Sequence, residues 1–458
     1  MHRAAVTPTG RIALRPGELV LALALPVTCS AVAFVVLAGV TGRPALLPVL
    51  VVVIPLAILM LCRPEWLVPA FLIATWASIG QAAVGGLPSP VELGAVVLLP
   101  LALAHAFREH ELAGRVALVC GITAAAVIAS GLVAAAGPTV NAEALKNLVF
   151  LAIAAFCVRG SIDVGRVGVA LAVGSVILGI GAAYSVLVHP TALFQLQELG
   201  PTDAAAPRAG GLFGEPNFFA LSLAAALPFG LRLITDAGWR RMLGILAAVA
   251  IPMGILASGS RAGLLVAGLA AVLWAWSSLR GAARLAVLLP FACALALVPL
   301  FSAQVSDSAG REVGGRYTEN SIAIAMFADH PLLGVGPGQY PALYRDYARR
   351  IGDDPRYERE PHSLFLQIAA EQGLVGLLAF LAAALVVGGY ARARQLWADP
   401  GGRAVLIALL TYLAGSIFLH GSDLRILFIL VGLVFAAGAG ERPRWPVGPK
   451  QQPTAAPV

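Results

Sequence analysis

From Gly17 to Gly440 the chain is a succession of apolar runs, most of them about as long as the ~20 residues that carry a helix across a bilayer, separated by charged turns that are mostly short. No single water-soluble core could absorb so many uninterrupted apolar stretches. Only 12% of the 458 residues are charged and 59% are hydrophobic, whereas a soluble domain has roughly 25% charged residues. The bilayer is therefore the expected solvent. A backbone crossing hydrocarbon must satisfy its own hydrogen bonds, and runs of this length do so as helices. The fold class this predicts is all-α, a polytopic transmembrane bundle of 12–14 spans.

Fourteen runs read as spans, at 17–40, 44–62, 66–84, 90–107, 114–136, 142–158, 164–188, 216–235, 240–258, 261–279, 283–301, 363–390, 403–420 and 424–440. The first is expected to be retained, because similar runs follow it throughout and no small-residue cleavage signal interrupts it. Residues 1–440 read as a single membrane domain, and 441–458, rich in Pro, Gln and Ala, as a disordered tail.

Basic residues orient such a chain, since Lys and Arg collect in short cytoplasmic loops. One set of alternate loops holds 19 of the 31 basic residues, and the other holds five in short loops plus seven in a single loop of about sixty residues. Both termini are thereby expected in the cytoplasm. The net charge of +7 is thus a matter of topology and implies no nucleic-acid partner. All five cysteines, Cys29, Cys62, Cys120, Cys157 and Cys293, lie within or beside apolar runs without a CxxC pair, which points to neither a disulfide framework nor a zinc site. No cofactor or metal is called for.

The sorting leaves a few arginines on the outer side that positive-inside bias does not explain. Polar sequence there concentrates in two segments, 189–215 and 302–361. The first ends in Arg208-Ala209-Gly210-Gly211-Leu212-Phe213-Gly214-Glu215-Pro216-Asn217, with Pro216 suited to a first helical turn. The second is expected to hold two short amphipathic helices on the membrane surface, at about 317–327 and 341–351. Between them runs Asp329-His330-Pro331-Leu332-Leu333-Gly334-Val335-Gly336-Pro337-Gly338, which lacks the Gly-Lys-Ser/Thr ending of a P-loop. A third outer feature is Ser258-Gly259-Ser260-Arg261 at a helix junction.

Arginine offers a planar fork that holds phosphate oxygens bidentately and keeps its charge. Helix N-termini after Arg208 and Arg261 would add their positive ends. An anion held at the outer edge of a hydrophobic wall is most simply a lipid-linked phosphate or diphosphate. His362 supplies the side chain best suited to take a proton from a hydroxyl near neutrality.

Taken in order, Arg-x-x-Gly-x-Phe-x-x-Pro-Asn from Arg208, Ser-Arg-x-Gly from Ser260, an arginine ahead of a short helix, Asp-His-Pro-Leu-Leu-Gly-Val-Gly-Pro-Gly, His-Ser-x-Phe-Leu-Gln and Glu-x-Gly-x-x-Gly resemble the O-antigen ligase and Wzy-type polymerase family. The resemblance runs from about Arg208 to Leu378. It implies a C-type glycosyltransferase fold in the inner membrane and a metal-independent, inverting transfer of glycan from undecaprenyl diphosphate to an acceptor outside. It matches Arg208 and Arg316 to diphosphate-contacting arginines, Arg261 to the Ser-Arg-x-Gly arginine, and His362 to the base. Glu215, ahead of Pro-Asn, and Ser363, where Asn is common, depart from the pattern.

Plainer roles stand beside these. Arg208 could meet lipid headgroups, Arg261 could be a snorkelling interfacial arginine, Arg316 could pair with Glu312 or Glu319, and His362 could cap the following helix with Ser363. His330 reads as a helix end. Gln367 and Glu371, at helical spacing after His362, could orient it or be ordinary polar groups of a bundle. Lys146, Asp423 and Arg425 are outer charges without an assigned role. A lipid-linked glycan flippase or other transporter is the alternative function, and it would be expected to spread charge through many spans and to show internal repeats.

Overall fold

Long apolar segments have one economical way to satisfy their amides, and the computed structural model forms helices wherever it describes such a run. The described residues are 64–77, 90–134, 142–161, 163–187, 196–197, 208–211, 215–282, 284–285, 289, 293, 306–352, 361–419 and 425–439. The chain divides into two units, Met1–Leu67 with Gly440–Val458, and Val68–Ala439. Every described residue after Leu67 belongs to the second unit. The spans expected at 17–40 and 44–62, most of that at 283–301, and the tail at 441–458 lie outside the described residues.

The helices are α1 (Pro64–Trp76), α2 (Pro90–Ala106), α3 (His110–Leu132), α4 (Ala142–Ser161), α5 (Val164–Leu187), α6 (Pro216–Leu233), α7 (Trp239–Ser258), α8 (Arg261–Ser278), α9 (Ser306–Asp329), α10 (Tyr340–Arg350), α11 (Leu364–Ala393), α12 (Pro400–Gly415) and α13 (Arg425–Gly438). Between α5 and α6 a two-residue antiparallel pair forms from β1 (Leu196–Gln197) and β2 (Arg208–Ala209), with Gln197 opposite Arg208. Among the described residues six helices, α3, α5, α6, α7, α8 and α11, are long and apolar enough to cross a membrane, and α1, α2, α12 and α13 are shorter apolar helices. Each falls on a run read as a span from sequence.

Helix α6 is the hub of the unit. It packs against α5, α7, α8 and α12, and all of its residues but Arg232 are buried. Its Ala-rich sequence lets neighbours approach closely, which in a membrane protein replaces the hydrophobic drive between helices. Small residues do the same at other crossings. A side-chain carbon added at Gly179 of α5 would overlap the Ala250 carbonyl of α7, and one at Gly432 of α13 would overlap the Leu151 carbonyl of α4.

One end of the bundle is basic. There Arg159 pairs with Glu109 at 3.5 Å, Arg394 with Glu111 at 2.9 Å, and Arg232 with Asp236. Arg403 donates to the Ser277 carbonyl at 2.6 Å and so ties the start of α12 to the end of α8. All of these arginines belong to the set assigned to one side by charge counting. At the opposite end Lys146 of α4 meets Glu92 of α2 at 2.7 Å, which gives that lysine a partner the sequence had not identified.

The long loop carries α9 and α10 to this second end. Helix α9 spans 24 residues rather than the eleven or so expected, and it stops at Asp329, where Asp-His-Pro was read as a helix end. The apolar face of α10 does not meet the membrane surface as expected. Tyr340, Tyr344, Tyr347 and Ala348 instead bury themselves against Ile322, Ala323 and Met326 of α9 and Ala370 of α11. Three tyrosines on one face favour this arrangement, because protein can satisfy their hydroxyls while covering their rings. The Tyr340 hydroxyl donates to the Glu319 carbonyl at 2.7 Å.

Candidate functional site

Two groups of polar residues build the loop end. The first centres on Arg208. Its Nε donates to the Ser258 carbonyl at 2.8 Å and a terminal nitrogen donates to Asn217 Oδ1 at 3.4 Å, so one guanidinium joins β2, the end of α7 and the first turn of α6. A side chain at Gly259 would meet Arg208 Nε at 3.2 Å. Glu215, the departure from the family pattern, has a local explanation as the N-cap of α6. One carboxylate oxygen accepts the Phe218 amide at 2.7 Å and the other accepts Asn217 Nδ2 at 2.8 Å. That second bond turns the Asn217 carbonyl oxygen toward Arg208.

Arg261 begins α8 three residues after Ser258. Ser260 caps the helix by accepting the Gly263 amide at 3.1 Å, and Arg261 itself is exposed. The helix N-terminus and the Arg208 anchor at Ser258 therefore share one junction, as the Ser-Gly-Ser-Arg sequence suggested.

The second group centres on His362. Ser363, not His362, caps α11, accepting the Leu366 amide at 3.5 Å. The imidazole Nε2 stands 3.0 Å from Oε2 of Glu319, a carboxylate only 1% exposed, while the His362 side chain keeps 21% of its surface. The contact sets a ring nitrogen directly against a carboxylate oxygen. Tyr340 connects this pair to Glu371, 5% exposed, whose carboxylate accepts the Tyr340 amide at 3.3 Å and receives the start of α10. Gln367 lies one turn into α11.

Local backbone explains two further motifs. Helix α11 is broken at Gly373, with φ 63° and ψ −155°. The loop from Pro331 to Gly336 fills the break: the Leu374 and Val375 amides donate to the Pro331 and Leu332 carbonyls at 2.8 and 3.0 Å, and the Val335 and Gly336 amides donate to the Ala370 and Glu371 carbonyls, both at 2.9 Å. A side chain at Gly334 would collide with the Glu371 backbone and one at Gly373 with that of Leu332. The Asp-His-Pro-Leu-Leu-Gly-Val-Gly and Glu-x-Gly segments are thus two halves of one backbone joint. At the far side of the loop Asp329 accepts from Tyr347 Oη at 3.0 Å and pairs with Arg350. The Arg350 hydrogen bond, joined by that of Tyr347, holds the Asp329 carboxyl below its ordinary range, and burial and the Asp329 bond push the Tyr347 phenol up.

The two groups are linked through α6. Asn217 touches Arg208, a side-chain carbon at Gly415 of α12 would press on Leu221 one turn further along, and the next carbonyl, that of Ser416, accepts the Leu364 amide at 2.9 Å beside His362. Arg316 lies on α9 three residues before Glu319, one turn away. Among the described residues no cluster of His, Cys, Asp or Glu is arranged to hold a metal ion. Glu319 is the neighbour of His362 that sequence reasoning missed, having considered it only as a mate for Arg316. A residue 43 positions away leaves no local signal of such a contact.

No curated protein matches the chain. Residues 244–381 match the family described as O-Antigen ligase, a stretch that starts within α7, after Arg208, and takes in Arg261, Arg316, His362, Gln367 and Glu371. With several helices apolar enough to cross a membrane, the chain is a multi-pass membrane protein, and its segment 244–381 is similar to the O-antigen ligase/Wzy-type family of the inner membrane.

Proposed function

We propose that the protein transfers a glycan from a polyprenyl (undecaprenyl) diphosphate carrier to an extracytoplasmic acceptor, and that it does so by inversion without a metal ion. In this reading Arg208, Arg261 and Arg316 bind the diphosphate, and His362 is the general base that accepts the proton of the attacking hydroxyl. The acceptor oxygen forms the new bond to the anomeric carbon as the bond to the carrier phosphate breaks. The leaving diphosphate takes the electron pair, and the arginines balance its charge, a role otherwise given to bound cations. Both termini face the cytoplasm, so that the loop end faces outward.

The observation that carries this reading is the placement of His362 outside the helix cap, beside a buried carboxylate. The family match supports the reaction class. The test is transfer in liposomes with a lipid-linked glycan. Transfer is expected to proceed in EDTA without ATP, and His362→Ala should reduce it by at least about 10²-fold while the protein stays monodisperse. Wild-type rates from that variant would remove His362 as the base, and transbilayer movement without new glycosidic bonds would favour the flippase alternative.

A further inference from the structure

The geometry points to Glu319 as the positioning residue of His362, the group that stabilises the imidazolium formed during transfer. This inference rests on the proposed role of His362 as base and adds to it the side chain through which that base works.

Glu319 sits mid-helix in α9, a poor place for a carboxylate unless something uses it. At 1% exposure its charge has lost nearly all contact with water, so its energy depends on the groups packed around it. Facing it is the imidazole nitrogen of His362, 3.0 Å away. When the ring is neutral the contact is at most a hydrogen bond to the carboxylate. With Nε2 turned to Glu319, the proton of an acceptor hydroxyl goes to Nδ1, which is buried in this structure and so must be met by the bound acceptor; the pair then becomes imidazolium and carboxylate at contact distance in a water-poor setting. The attraction therefore grows as the proton moves, and an interaction stronger after proton transfer than before it lowers the barrier rather than only tightening binding. The proton ends on His362, the electron pair of the broken bond leaves with the diphosphate, and Glu319 exchanges neither.

Position is secured independently of charge. The Glu319 carbonyl accepts the Tyr340 hydroxyl at 2.7 Å, and Tyr340 is in turn held by Glu371 through its amide. Leu364, two residues after His362, is fixed to the Ser416 carbonyl at 2.9 Å. The backbone that carries each partner is thereby tied at a helix start.

Replacement of the carboxylate by its neutral isostere tests this. Glu319→Gln should lower kcat by roughly 10- to 100-fold and leave the KM for the lipid-linked donor within about twofold, with the melting temperature of the purified protein checked alongside. Glu319→Asp, which keeps the charge at shorter reach, should recover a large part of the lost turnover. Unchanged turnover in Glu319→Gln, or a loss confined to KM, overturns the assignment. Should Glu319→Gln fail to fold, Glu319→Met, uncharged and of similar volume, decides: reduced kcat at unchanged KM supports the role, and wild-type turnover overturns it. If His362→Ala abolishes transfer while the Glu319 variants are fully active, only the role of Glu319 falls. Wild-type transfer by His362→Ala removes the base itself.

Discussion

Arg208 shows why an arginine rather than a lysine stands at the start of the site. Its guanidinium reaches a carbonyl on α7 and an amide oxygen on α6 at once, and a single ammonium cannot span both with the same geometry. Arg208→Lys should therefore lower transfer by about 10- to 100-fold without unfolding the protein, as measured by initial rates beside a thermal melt. An equal rate would mean that the charge alone suffices. At this scale the arginines and the histidine were legible in the sequence, but their partners were not. The charge count marked Arg208 and Arg261 as outward-facing residues in need of a reason. It could not show that Ser258 holds Arg208, or that Glu319 faces His362, because these contacts join segments far apart in the chain. Arg316 is placed on α9 by the backbone, one turn from Glu319.

At the scale of elements, the joint between α11 and the Pro331–Gly336 loop is the least forgiving feature. A left-handed residue other than glycine costs about 1–2 kcal/mol, and at Gly373 and Gly334 an added carbon would also overlap backbone. Gly373→Ala and Gly334→Ala should each lower the melting temperature and the yield of folded protein, whereas Gly388→Ala, in open space on α11, should do neither. Acid should loosen the other side of the loop. Asp329 has its folded pKa depressed by Arg350 and Tyr347, so its contribution is full above the ordinary carboxylate pKa and fades as pH falls through the lower folded value. Hydrogen-exchange protection across α10, taken relative to the intrinsic rate at each pH, should accordingly hold steady from neutrality to about pH 4 and fall only below that. A fall beginning near pH 6 would show that Asp329 is not what holds the loop. Hydropathy located α10 well but misjudged what covers it, since periodicity reports an apolar face and is silent on whether lipid or protein lies against it. The extra length of α9 was hidden for a related reason: its first turns are polar and carry no apolar stripe.

For the whole molecule, the alternation of basic and non-basic turns was legible in sequence, and Arg159, Arg394 and Arg403, all of the basic set, lie together at one end of the described helices. In a background without the native cysteines, Tyr317→Cys, at a position 77% exposed, should react with a membrane-impermeant maleimide added outside intact cells. Gln395→Cys, in the exposed turn after α11, should react only once the membrane is permeabilised. The opposite pattern would invert the orientation. Helix packing was less legible in the sequence, because Ala and Gly are spread through every span and only the fold shows which of them, Gly179 and Gly432 for example, stand where two backbones cross.

The break in α11 has one more consequence. The short piece of helix ahead of Gly373, which begins just after His362, shares its backbone hydrogen bonds with the loop leading out of α9 as well as with its own turns. Glu319 rides on α9 itself. The histidine and its carboxylate thus belong to one cap stitched together by main chain, which ties the 3.0 Å separation between them to backbone rather than to side-chain contacts alone.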